Sequence, residues 1–166
     1  KLEWKEAFIR IKRLFSEVFD HLDFSIEHIG STAVPNLAAK DIIDINISYS
    51  DNVSFDEIEK RLIKLGYFHN GDQGIPGREV FKRAFKTQKK SMLNTITHHL
   101  YLCHFQNNEL KRHILFRDYL NTNLEAREEY QILKYKIANE AKQDKKRYAA
   151  LKETQARKLA TENDFI

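Results

Sequence analysis

A glycine-serine pair and a carboxylate lie close together in the first third of the chain. Gly30 and Ser31 follow one apolar segment, and Asp44 lies within the next. Backbone N–H groups at such a turn can donate to phosphate oxygens, and a carboxylate can hold a divalent cation. The combination predicts a site for oligophosphate chemistry, of the kind that nucleotidyl transfer requires.

Asp44 alternates with isoleucines in residues 42–49, a pattern typical of a β-strand with one apolar face. Its carboxylate therefore points away from the isoleucines and is either solvated or functional. Gly30 and Ser31 alone could form an ordinary turn in which the serine caps the next element. With Asp44 nearby, we expect Gly30, Ser31 and Thr32 to bind phosphate and Asp44 to be the catalytic, metal-binding carboxylate.

Asn46 shares a strand face with Asp44 and is the expected second metal ligand. An amide oxygen can coordinate Mg²⁺ but contributes no charge, which lowers the expected affinity for the cation. Mg²⁺ is the cofactor that this pair predicts. Asp41 falls on the opposite face and is expected to be a surface residue.

A second cluster contains two adjacent histidines, of which His99 shares a strand face with Tyr101. This pair is a poor metal site, and the spacing of the neighbouring histidines matches no compact zinc motif. We expect His99 and Tyr101 to contact phosphate or a base. His28 is expected to be packed or hydrogen-bonded rather than a ligand.

Basic residues follow a glycine-rich segment at 71–77. Arg78 and Lys82 share strand parity, whereas Arg83 does not, and an arginine is suited to bidentate phosphate contacts. We expect Arg78 to bind the nucleotide phosphates. The alternative is a solvated edge strand whose charges prevent aggregation. Arg117 could reach the site or tie a helix to the sheet.

These residues must be positioned by an α+β arrangement of helix, strands and then helices. Asn123 and Asp144 are expected N-caps, and residues 54–57 a capping box. The predicted elements are a helix over 4–19, strands over 24–29, 42–49, 67–70, 78–85 and 96–103, a helix over 54–65 ended by Gly66, a linking stretch at 86–90, and helices from 107 onward.

Composition indicates one domain over 1–166, with a sheet-containing core to about 105 and helices over about 107–163. No apolar run is long enough to cross a bilayer. Lysine and arginine are interspersed with acids, so the net charge of +4 disfavours nucleic acid as a partner, and the lysine-rich stretch 142–158 reads as a solvated helix face. Cys103 is the single cysteine, which favours a cytoplasmic location.

Residues 27–45, which contain the glycine-serine pair and Asp44, resemble the signature of the GrpB family (UPF0157 type) of bacterial proteins. The similarity continues at residues 74–78, 97–100 and 115–120, and at the closing Phe165 and Ile166. Where the family commonly has proline and glycine, this chain has Asp41 and Asn36, and where it has a third histidine, this chain has Tyr101.

The resemblance implies the fold of the nucleotidyltransferase superfamily, a mixed β-sheet flanked by helices. In that superfamily two carboxylates one residue apart, and a third from a later strand, hold two divalent cations. Asn46 stands at the second of those positions. Some family members are fused to dephospho-coenzyme A kinase, which implies a link to coenzyme A biosynthesis. This chain lacks the phosphate-loop motif of such a kinase.

Two functions follow from these observations. The first is nucleotide or phosphate binding, extending to Mg²⁺-dependent transfer of a nucleotidyl group to an unknown acceptor. The second is a non-catalytic module that binds a phosphorylated metabolite or a protein partner. Asn46 and Tyr101 favour the second, because each stands where metal chemistry would use another residue.

Overall fold

The computed structural model describes residues 1–84, 91–142 and 144–162. The strands and α-helices of this part of the chain are α1 (Leu2–Val18), β1 (Phe24–Ile29), β2 (Ile43–Tyr49), α2 (Phe55–Lys64), β3 (Tyr67–His69), β4 (Arg78–Arg83), β5 (His98–His104), α3 (Asn108–Thr122), α4 (Leu124–Glu140) and α5 (Lys145–Glu162). Short 3₁₀ turns lie at Ser31–Ala33 and Met92–Asn94.

The five strands form one mixed sheet in the order β1-β2-β5-β4-β3. β2 and β5 are parallel, and the other neighbouring strands are antiparallel. β5 is the last strand in the sequence but the central strand of the sheet. The α+β class with a mixed sheet flanked by helices is therefore confirmed.

The two faces of the sheet separate the core from the polar residues. Ile43, Ile45 and Ile47 are buried in a core with apolar residues of α1 and α2. Residues of even number on β2 take the opposite face, where α3, α4 and α5 lie. The alternation of the β2 sequence thus determines which face carries Asp44.

Polar side chains cap the helices as their sequence predicts. Ser54 accepts a hydrogen bond from the Glu57 backbone N–H at 3.2 Å, although the Glu57 side chain pairs with Arg61 rather than completing a capping box. Asn123 accepts from Ala126 at 3.0 Å, and Asp144 caps α5. These caps satisfy backbone donors that have no partner within the helix.

Some predicted boundaries differ from the structure. The strand predicted over 96–103 begins at His98, because the 3₁₀ turn at Met92–Asn94 and a bend precede it. The strand predicted over 78–85 ends at Arg83. Phe85, the linking stretch 86–90 and the ending at Phe165 and Ile166 lie outside the described residues.

Candidate functional site

A cavity of about 710 Å³ lies between the polar face of the sheet, the loop that follows β1, and helices α3 to α5. Within the described residues, six cationic side chains and three carboxylates line it. The cations are Lys40, Arg78, Arg112, Arg117, Lys134 and Lys152, and the carboxylates are Asp44, Asp144 and Glu153. This excess of positive charge suits an anionic ligand.

Gly30 packs directly against Asp44 at the wall of this cavity. Its φ of 73° is in the left-handed region, and a Cβ built on it would lie 2.4 Å from the Asp44 Oδ2. Glycine is therefore required twice over, for the backbone conformation and for the close approach. The turn and the carboxylate form one unit, as the sequence predicts.

Asp44 is also fixed from the neighbouring strand. The parallel register of β2 and β5 places it beside His99, whose Nδ1 donates to Asp44 Oδ1 at 2.9 Å. A carboxylate can only accept, so Nδ1 is the donor of this hydrogen bond. The side chain of His99 is half-exposed at the cavity.

Ser31 faces a buried lysine that the sequence analysis does not predict. Lys134 of α4 is 6% exposed and donates to Ser31 Oγ at 2.9 Å and to the carbonyl oxygen of Ala38. Burial, and to a lesser extent the charge of Lys152, lower the pKa of Lys134 to about 8. Within the described residues, no ion pair joins Lys134 to a carboxylate, so its charge is available to an anion in the cavity.

Thr32 and His28 hold the turn in place. The Thr32 hydroxyl donates to the carbonyl oxygen of Ile42 at 3.3 Å and lies 3.0 Å from His28 Nε2. Burial lowers the pKa of His28 to about 4, and its ring stacks on Phe8 at 4.7 Å. His28 is therefore a packed residue, as expected. The Thr32 hydroxyl is engaged in these contacts, which leaves its phosphate-binding role a prediction.

Asn46, the predicted second metal ligand, is buried on the strand face that carries Asp44. It is 2% exposed, does not reach the cavity wall, and its Oδ1 accepts a hydrogen bond from Cys103 Sγ at 3.2 Å. Asp44 is then the one carboxylate that β2 offers to the cavity. Across residues 1–84, 91–142 and 144–162, no group of three or more His, Cys, Asp and Glu side chains is placed to hold a metal ion.

Tyr101 and Arg78 form a stacked pair on the cavity wall. The Arg78 guanidinium lies 4.9 Å from the centre of the Tyr101 ring, a cation–π distance. Burial raises the pKa of Tyr101, so its hydroxyl remains a hydrogen-bond donor. Both side chains, like His99, line the same cavity as Gly30 and Ser31.

Arg117 joins α3 to β1. Its guanidinium donates to Glu27 at 2.7 Å, to the carbonyl oxygen of His28 at 2.9 Å and to Asp118 at 2.7 Å. The side chain lines the cavity, but its donors fasten the helix to the strand that enters the Gly30 turn. Arg117 and Asp118 therefore have a structural role.

Several basic and histidine side chains of the sequence analysis lie elsewhere. His98 contacts the Tyr67 hydroxyl, and Arg83 bonds Leu65 and Asn94, both away from the cavity. His104 pairs with Asp51 at 2.9 Å near the other end of β5. Lys82 is exposed and does not line the cavity. Strand parity separates Arg83 from Arg78, as expected. Lys82 shares the parity of Arg78 but lies beyond the part of β4 that pairs with β5.

The C-terminal helices contribute cavity residues that the sequence analysis does not identify. Arg112 and His113 come from α3, Lys134 from α4 and Lys152 from α5. The lysine-rich stretch is thus only partly a solvated face. The burial of Lys134 has one indication in the sequence. Lys134 lies four residues after Tyr130 and three before Ile137, which places its charge within the apolar, buried stripe of α4.

Among the described residues, no helix has both the length and the apolar composition needed to span a bilayer.

Comparison with known structures supports the fold. A GrpB protein from Enterococcus faecalis aligns with a TM-score of 0.78 and 30% identity, covering 98% of this chain and 93% of that one. The poly(U) polymerase Cid1 bound to MgGTP aligns with a TM-score of 0.54 over 84% of this chain and 42% of its own, at 16% identity. The second likeness shows a nucleotidyltransferase-like fold alone.

Comparison with curated sequences identifies the family. The chain is 35% identical over 136 residues to the UPF0157 protein YqkA of Bacillus subtilis, spanning 82% of this chain but 37% of YqkA. It is 34% identical to the glutamate-rich protein GrpB of Alkalihalophilus pseudofirmus, spanning 82% of that protein. The family model described as GrpB protein matches residues 1–162. This chain belongs to the GrpB family.

Proposed function

We propose that the cavity binds a nucleotide or another phosphorylated small molecule, with its phosphates against Gly30, Ser31 and Lys134. The observation that carries this proposal is the glycine-serine turn packed on Asp44, at the wall of a cavity with an excess of cationic side chains. Lys134 supplies a buried charge at the serine hydroxyl. In such a setting a charge interacts more strongly with phosphate than it does in water.

Arg78, His99 and Tyr101 are proposed to contact the rest of the ligand. Each lines the cavity, and each has a donor, an acceptor or an aromatic face that suits a phosphate or a base. Mg²⁺ is proposed to arrive with the phosphates and to be held by Asp44 and the ligand's own oxygens. Bound in this way, Mg²⁺ would neutralise phosphate charge.

The proposal is tested by calorimetric titration of ATP, GTP, CTP and UTP, each with and without Mg²⁺. Lys134→Met should weaken binding of the preferred nucleotide about tenfold or more, because it removes a buried cation at the phosphates. Lys82→Met is the matched control, since Lys82 is exposed and does not line the cavity. Absence of binding to all four nucleotides, or equal losses in both variants, would contradict the proposal.

A second candidate is a binding module without catalytic activity. Asn46 favours it, because its oxygen is engaged by Cys103 and the two-cation carboxylate set is absent from the described site. Incubation with radiolabelled ATP, Mg²⁺ and candidate acceptors separates the two functions. Release of pyrophosphate that is lost in Asp44→Asn indicates transfer, whereas tight binding without turnover indicates the module.

A link to coenzyme A metabolism is proposed from the relatives. The chain is 26% identical over 170 residues to a dephospho-CoA kinase of Mycolicibacterium paratuberculosis, spanning 41% of that protein. Dephospho-coenzyme A and coenzyme A, which contain adenine nucleotides, therefore belong in the titration series. We expect a cytoplasmic location, where these compounds occur, and localisation of a tagged full-length protein would test it.

A further inference from the structure

Arg112 is a buried arginine whose hydrogen-bonding capacity is only partly used. Its side chain is 5% exposed, and its Nη2 donates to Glu109 at 2.7 Å and to Glu153 at 2.8 Å. Its Nε is buried without a partner among the described residues. A buried N–H without a partner is destabilising, so this donor gains free energy when it meets an acceptor.

Arg78 lines the same cavity and carries a second unpaired donor. Its Nε is also buried and has no partner in the described part of the chain. Both guanidinium groups lie near His113, where burial first, and their charges in addition, lower the histidine pKa to about 4. His113 is therefore neutral at pH 7 and adds no charge beside the two arginines.

The carboxylates on Arg112 come from different places. Glu109 belongs to the same helix, three residues away, and does not line the cavity. Glu153 belongs to α5, lines the cavity, and its side chain is 40% exposed. The Glu109 side chain is 18% exposed, so Glu153 is the more exposed of the two carboxylates. An oxyanion that replaced Glu153 would leave the local charge unchanged.

We propose that Arg78 and Arg112 form a second oxyanion subsite, distinct from the Gly30–Ser31 turn, which Glu153 of α5 covers. The ligand class is a carboxylate or phosphate group, whose planar or tetrahedral oxygens match the donors of a guanidinium. This inference rests on the proposed function. The subsite would hold the anionic group of a second substrate, so the acceptor in the transfer reaction is an acidic small molecule.

The test compares Glu153→Gln with Glu109→Gln. Each variant removes one carboxylate from the same Arg112 nitrogen, but only the first uncovers the guanidinium toward the cavity. Inorganic phosphate and succinate are titrated separately into the protein saturated with its preferred nucleotide, or with none if no nucleotide binds. We expect Glu153→Gln to lower the Kd of one probe about fivefold or more, and Glu109→Gln to change it less than twofold.

The two probes distinguish a phosphate from a carboxylate acceptor. Arg78→Gln should abolish the gain in Glu153→Gln and serves in place of an Arg112 variant, because removing the buried Arg112 could unfold the chain. Equal effects of the two glutamate variants, or no probe binding in any variant, would overturn the subsite. If a nucleotide binds but the probe effects are absent, the subsite is wrong and the proposed function stands. If the probe binds through Arg78 but no nucleotide binds, the proposed nucleotide site is wrong and the subsite stands.

Discussion

His99 donates a hydrogen bond from Nδ1 to Asp44 Oδ1 at 2.9 Å, across the parallel pair of strands at the centre of the sheet. The other Asp44 oxygen lies against Gly30. One carboxylate thus connects the Gly30–Ser31 turn to the central strand. Its orientation is fixed from both sides, so each side can be tested by a single substitution.

Gly30→Ala should displace Asp44 and weaken nucleotide binding about tenfold or more, because a Cβ would lie 2.4 Å from its Oδ2. The backbone conformation alone should cost about 1–2 kcal/mol of unfolding free energy. Calorimetric titration and urea unfolding measure the two effects. Gly71→Ala is the control, since Gly71 has a φ of 71° with nothing within 4 Å of its added Cβ. A similar loss of binding in both variants would show that strain, not the contact, is responsible.

Asp44→Asn should have opposite effects in the presence and absence of Mg²⁺. With Mg²⁺, loss of the carboxylate should weaken nucleotide binding about tenfold; without it, removal of a repelling charge should leave binding equal or tighter. Titrations at matched ionic strength measure both. Asp51→Asn should change neither, because Asp51 pairs with His104 at the same 2.9 Å distance but outside the cavity. If Asp44→Asn weakens nucleotide binding equally with and without Mg²⁺, Asp44 is not the ligand of the cation.

Nucleotide affinity should fall as the pH rises through about 8, the pKa of the buried Lys134. The lysine is charged below that pH and neutral above it, so its attraction for phosphate is lost. Stability should change in the other direction: unfolded Lys134 keeps its proton to about pH 10.4, so the penalty for burying its charge is relieved between pH 8 and that value. Titrations and urea unfolding at pH 7 and 9 test both signs. In Lys134→Met both pH dependences should disappear.

Asn46→Asp should destabilise the chain by about 2–4 kcal/mol at pH 7, because it places a carboxylate where the amide is 2% exposed. Burial would raise the pKa of the new carboxyl, so the loss should shrink as the pH falls toward 4. Mg²⁺ should restore part of the stability if the new carboxylate reaches a cation beside Asp44. Ser48→Asp, buried on the same strand face, should show no such rescue. Wild-type stability of Asn46→Asp at pH 7 without Mg²⁺ would contradict the environment described for Asn46.

Cys103 should resist alkylation in the folded protein. Burial raises the pKa of its thiol to about 12, and its S–H donates to Asn46. Iodoacetamide at pH 8 should label it only after unfolding in urea, and mass spectrometry gives a direct count because it is the single cysteine. Labelling of the native protein at the rate of a free thiol would show that this part of the sheet opens readily.

The strands and caps were predictable because their signals are local. The alternation in β2 determines the face of Asp44, and Asn123 caps α4 where its residue type predicts. The burial of Asn46 was not predictable, because it depends on Cys103 of a strand distant in sequence. The alternation in β2 shows that Asp44 and Asn46 share a face of the sheet. It does not show which of the two side chains is accessible from the cavity.

The cationic wall depends on helix packing. Arg112 and Lys152 belong to helices in which charges occur on several sides, so no periodic pattern identifies their direction. Only packing of α3 and α5 against the sheet brings them to the cavity. The Gly30–Asp44 part of the site is therefore predictable from a sequence motif, whereas the part formed by the helices depends on tertiary contacts.

The central position of β5 has a consequence for folding. β1 with β2, and β3 with β4, are antiparallel neighbours that local chain segments can pair, but β5 must insert between the two pairs to unite them. Pairing of β2 with β5 closes a loop of about fifty residues, an entropic cost that slows folding. During synthesis, the floor of the cavity can therefore form only after His98–His104 has emerged, and the helical wall later still.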